Sequence, residues 1–155
     1  MSLKNETQTS ASKKKSEGWN DVEKAAMRAS AKEMKAEARM GKDKAAGEQA
    51  VQAAIAAMKD PDRSMAQRIH EIVTATAPDL MPKTWYGMPA YANAEGKIIC
   101  FFQAAQKYNT RYSTFGFQPD ARLDEGNMWA AGFAIVALTA TEEAAIIALV
   151  KKAVS

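Results

Sequence analysis

Apolar residues repeat with a helical period over the first half of the chain and with an extended one over most of the second. Met65, Ile69, Ile72, Val73 and Thr76 fall at i, i+4, i+7, i+8 and i+11, so they share one face of a helix. Asp60-Pro61 suits its start, with Asp at the cap and Pro in the first turn, and Pro78 suits its end. Val51, Ile55 and Met58 form a shorter stripe, predicting a helix over residues 45–59. Before it, Val22, Ala26, Ala29 and Met40 make a thin stripe among lysines and glutamates. A helix from Asn20 or Asp21 to about Met40, stopped by Gly41, is expected there.

After Pro82 the period becomes extended. Residues 85–91 read as a first strand region, interrupted by Gly87 and Pro89. Asn93-Ala94-Glu95-Gly96 suits a turn, and residues 97–103 read as the strongest strand, apolar on both faces. Residues 108–117 and 133–138 complete the extended segments. Thr139-Ala140-Thr141-Glu142 has the capping-box spacing for a last helix, with Ile146, Ile147, Leu149 and Val150 facing inward. Helices, then strands, then a helix predict an α+β fold, an antiparallel sheet covered by helices.

Composition divides the chain further. Eleven of the twelve aromatic residues lie between Trp85 and Phe133, which places the dense core there. Residues 1–50 hold eleven Lys or Arg against eight Asp or Glu, whereas residues 51–155 hold ten of each. The net charge of +3 therefore belongs to the front of the chain. The expected organisation is a disordered tail over 1–17, an Ala/Lys-rich helical extension over 18–59, and a domain over 60–155 that folds without the rest. The longest nearly unbroken apolar run, residues 128–138, is too short for a bilayer, which takes about 20 residues. With no apolar leader and a single cysteine, a cytoplasmic protein is expected. One His and one Cys are also too few for a structural zinc site.

Trp85-Tyr86-Gly87-Met88-Pro89-Ala90-Tyr91, the Gly96-Lys97 turn and the apolar run 98–102 together resemble the YdhG-like family, as do residues 112–117 and 121–129 further on. The resemblance covers roughly 60–155. It implies a frataxin-like fold, two helices against an antiparallel sheet, and points to iron as the ligand. Carboxylates clustered on the first helix and the adjacent sheet edge would carry that iron. The helix starting at Asp60 instead alternates Asp60, Asp62 and Glu71 with Arg63 and Arg68.

Few residues carry chemistry. Asp120, Asp124 and Glu125 gather in one loop and are the candidate metal ligands, since oxygen donors at such spacing suit a hard cation. Asp60 and Asp62 are a second, separate pair. His70 lies to the side of the apolar face and reads as a boundary residue holding a hydrogen bond. Cys100, between Ile99 and Phe101, reads as an inert core thiol. Lys97, Lys107, Arg111 and Arg122 mix with Tyr108, Tyr112, Phe115 and Phe117, which could form a stacking platform for single-stranded nucleic acid. The absence of net charge over 51–155 argues against it. Phosphate-binding glycine loops, a Gly-x-Ser-x-Gly elbow and His-Glu-x-x-His are all missing, so an enzyme is the less favoured reading. The favoured one is a cytoplasmic, non-enzymatic domain that binds a small ligand or a metal ion, iron by resemblance. The alternative is an interaction module in which the basic helical arm, residues 20–59, docks a protein, a nucleic acid or a second copy.

Overall fold

The computed structural model describes residues 24–25, 27–29, 31–32, 35 and 43–155. The chain divides into two units, Met1–Ala36 and Glu37–Ser155. Within the first unit the described residues are helical and exposed. The expected tail over 1–17 and much of the helix expected over 20–40 lie outside the described residues.

The second unit begins with α1, Lys44–Ala56. Asp43 caps it, one carboxylate oxygen accepting from the Ala45 and Ala46 amides at 3.0 and 3.3 Å. Helix α2 spans Asp62–Thr76. The Asp60 carboxylate accepts from the Ser64 amide and hydroxyl one turn on, and pairs with Arg63 at 2.9 Å. These bonds hold the Asp60 carboxyl below the usual carboxylate range. Five strands follow: β1 Met81–Trp85, β2 Met88–Ala92, β3 Ile98–Gln103, β4 Ser113–Phe117 and β5 Gly132–Ile135. They form one antiparallel meander in sequence order, and α3, Ala140–Val154, closes the chain. The fold class is α+β, as the change of period predicts.

Local chemistry sets several of these boundaries. Gly96 takes the left-handed conformation at φ +81°, while the Asn93 side chain accepts from the Glu95 and Lys97 amides. Thr139 and Glu142 form the capping box of α3; the Thr139 hydroxyl and amide both donate to Glu142, which holds its carboxyl below the usual range. The expected strand over 85–91 is instead a hairpin. Tyr86 and Gly87, at φ +50° and +74°, turn β1 into β2, as a tight two-residue loop requires. The strand expected from residue 108 begins at Ser113; the segment before it winds through turns, with the Thr110 amide on the Ala105 carbonyl at 2.9 Å.

One face of the sheet carries Tyr91, Cys100, Phe102 and Phe115, all fully buried. Ile69 and Val73 of α2 and Ile146 and Val150 of α3 pack into the same core. So do Val51 and Ile55 of α1, which lies against β1 and β2. The helix expected within the extension thus contributes Val51 and Ile55 to the same core as the residues after 60. On the opposite face Phe101 meets Trp85 edge-on, ring centroids 5.3 Å apart, and lies over Gly116. Any Cβ at 116 would run into that ring, which explains a glycine inside a strand. Among the described residues no helix is long and apolar enough to cross a membrane.

Candidate functional site

Asp62 opens α2 in the phase of its apolar stripe, three and seven residues before Met65 and Ile69. The helix therefore turns it inward, and only 3% of it remains exposed. Burying a carboxylate is costly unless its oxygens are satisfied. Here one oxygen accepts from the Gln106 amide at 2.9 Å and the other from the Ser113 hydroxyl at 3.1 Å. Ser113 in turn accepts from the Ala105 amide at 3.0 Å, so the β3–β4 connection is strung onto the start of α2. The Gln106 side-chain amide adds a bond to the Asp60 carbonyl. No Lys, Arg or His among the described residues forms an ion pair with Asp62.

Asp62 lies in the wall of a cleft of about 670 Å³, bounded by the end of α1, the start of α2, the β1–β2 hairpin and the β3–β4 connection. Ala54 and Met58 make one side apolar, while Lys59, Gly87 and Lys107 complete the lining. Two bonds tie the hairpin to the connection. Lys107 Nζ donates to the Gly87 carbonyl at 3.2 Å, and the Tyr108 hydroxyl donates to the Tyr86 carbonyl at 2.8 Å.

A second polar cluster lies under α1. His70 is 4% exposed and both of its ring nitrogens are engaged. Nε2 is 2.7 Å from Glu48 of α1, and Nδ1 is 2.9 Å from the Tyr91 hydroxyl of β2. A carboxylate only accepts, so Nε2 is the donor toward Glu48, while Nδ1 faces the Tyr91 hydroxyl. Burial, together with Glu48 and with Cys100 opposite on β3, pushes the Tyr91 phenol well above its usual range. Burial also raises the Cys100 thiol, which agrees with an inert core cysteine. His70 thus holds hydrogen bonds, as expected, but from inside the core.

The metal candidates do not meet. Asp120 and Asp124 line a second cleft, of about 840 Å³, near the end of α3, and Glu125 points to Lys152, 3.5 Å away. Among the described residues no three His, Cys, Asp or Glu side chains come close enough to hold a metal ion. Asp60 and Asp62 diverge as well, one toward Arg63 at the surface and the other into the core. The aromatic and basic residues proposed as a platform also separate. Phe115 and Phe117 are core residues, whereas Arg111 stacks on Tyr112 and Lys107 on Tyr108. The α1 part of the supposed docking arm is occupied by the core of its own domain.

The importance of Asp62 and the pairing of Glu48 with Tyr91 through His70 are not apparent from motifs. A signal does exist, since each acid occupies the inward phase of a helical stripe where an apolar residue is the rule. No family model, curated protein or solved structure matches the chain.

Proposed function

We propose that this protein is a non-enzymatic binding domain whose ligand is a small organic cation or zwitterion. The ligand sits in the cleft with a protonated nitrogen against Asp62. One observation carries this reading: Asp62 is a buried carboxylate in a cleft wall, held by two neutral donors and by no cation of the described residues. Two neutral hydrogen bonds offset only part of the several kcal/mol that burying a carboxylate costs. An ammonium group would supply the missing charge, while Ala54 and Met58 would take up carbon. The volume of about 670 Å³ falls within the roughly 300–1,000 Å³ usual for small-molecule sites. Lys59 and Lys107 at the lining favour a ligand whose outer end is acidic, hence a zwitterion over a bare cation.

The YdhG-like, frataxin-like resemblance and a cytoplasmic setting are carried into this proposal as far as a small ligand is concerned. Iron is not, because Asp120, Asp124 and Glu125 stand apart and no other described trio replaces them. Titration calorimetry with small primary amines, amino-acid zwitterions and quaternary ammonium compounds tests the reading, with anaerobic ferrous iron as comparison. We expect heat from ammonium-bearing compounds that disappears in Asp62→Asn. Silence across the organic panel, or equal heat from Asp62→Asn, sinks the proposal. Heat from ferrous iron alone would bring the metal reading back.

A further inference from the structure

Both ends of the meander are sheet edges, and they are built differently. Strand β1 carries Pro82 and Lys83 and has α1 packed against it. Proline, charge and a covering helix are the usual means by which proteins keep an edge from pairing with another chain. Strand β5 holds no proline and no charge, and among the described residues no helix packs along it as α1 does along β1. It pairs with β4 on one side and with no other strand among the described residues. From Gly126 to Thr141 there is no charged residue, no histidine and no proline. The same stretch holds three of the large apolar side chains that are open to solvent: Met128 at 89%, Val136 at 74% and Trp129 at 40% exposure. Ala130, Ala131, Gly132, Ala134 and Ala137 are exposed too. The small residues let another backbone approach closely along the edge.

From this we infer that β5 is a self-association edge, on which a second copy of the chain adds its own β5 in antiparallel pairing. The occupant follows from the chemistry of the edge. An uncharged strand offers a charged peptide no ion pair, but it meets an identical uncharged strand without repulsion, and its backbone groups are self-complementary. A two-fold axis perpendicular to the sheet keeps the helices of both copies on one face. Centred on Ala134, it sets Gly132 opposite Val136 of the second copy and Phe133 opposite Ile135, so large and small residues alternate along the seam. The two five-stranded sheets become one of ten strands.

Sedimentation of the full chain over a range of concentrations decides the matter. We expect the apparent mass to rise toward twice 16.8 kDa at high micromolar concentration and to fall on dilution. Ala134→Lys should hold the mass at one chain. Val136→Lys, outside the ladder and already open to solvent, should do the same should the first variant fold poorly. A parent chain that stays monomeric at high micromolar concentration overturns the inference. So does a folded Val136→Lys variant that still doubles in mass.

Discussion

Asp62 and Glu48 occupy equivalent places on neighbouring helices. Each stands three and seven residues ahead of two buried apolar residues, Met65 and Ile69 for one, Val51 and Ile55 for the other. Asp62 lies on the short arm of an Asp side chain in the first turn of α2 and is drawn fully inside, where only neutral donors reach it. Glu48 has a longer side chain, remains 43% exposed, and reaches inward to His70. The first arrangement leaves a charge to be answered from the cleft; the second is closed at both ends, by water outside and Tyr91 inside. Two acids in the same phase of a stripe therefore come to opposite roles, one open to a ligand and one holding the core together.

Removing α1 breaks the comparison most severely, because it takes away Glu48, Val51 and Ile55 together. Burying one such aliphatic side chain contributes roughly 1.5–3 kcal/mol. Residues 60–155 alone should therefore lose cooperative thermal unfolding by circular dichroism, whereas residues 43–155 should keep it. Asp62→Ala comes next, with an expected loss of about 2–4 kcal/mol in urea unfolding, since hydrogen bonds to a charged group contribute about 1.5–3 kcal/mol each and the Gln106 amide is left unpaired. Ser113→Ala should cost less in the Asp62→Ala background than in the parent, the difference reporting the bond the two share, while the lost bond to the Ala105 amide counts in both.

Tyr91→Phe should cost about 1 kcal/mol at neutral pH, the usual net value of one buried hydrogen bond. Its alkaline behaviour sharpens the contrast. The folded-state pKa of Tyr91 is raised, so its contribution is fully present below the ordinary tyrosine value and is lost as pH rises above it. Stability should fall on alkaline titration, the late-ionising tyrosine absorbance should coincide with unfolding, and Tyr91→Phe should remove that late phase. The smallest effect belongs to Glu48→Gln, expected below about 1 kcal/mol because the carboxylate is half in water and a glutamine can still accept from His70. A loss as large as that of Asp62→Ala would erase the distinction between the two acids.

Local signals were legible in the sequence wherever one short segment determines its own structure. The α2 stripe, the Asn93–Gly96 turn and the Thr139–Glu142 box all follow from neighbours within one or two turns. Strand β1 escaped because Pro82 and Lys83 interrupt its pattern, and the hairpin because Tyr86, not a glycine or asparagine, takes its first left-handed position. The contribution of α1 was obscured by its alanines, which leave only Val51 and Ile55 to signal a core-facing side. The candidate site was the least legible. Its bonds join Asp62 to residues 44 and 51 positions away, and no spacing rule spans such distances. The carboxylates of 120–125 are close in sequence, yet proximity along a loop does not make side chains converge.

The tethers on the hairpin have a consequence for how this cleft can change over generations. Lys107 and Tyr108 grip the carbonyl oxygens of Gly87 and Tyr86, not their side chains. Side-chain replacement at 86 therefore keeps its attachment point, because every residue brings the same carbonyl. The wall can vary its surface without losing its position, and drift at the hairpin tip becomes a way to retune what the cleft admits. The grip itself resides in two side chains of the neighbouring connection, and losing either would leave the hairpin tip held to it by the other.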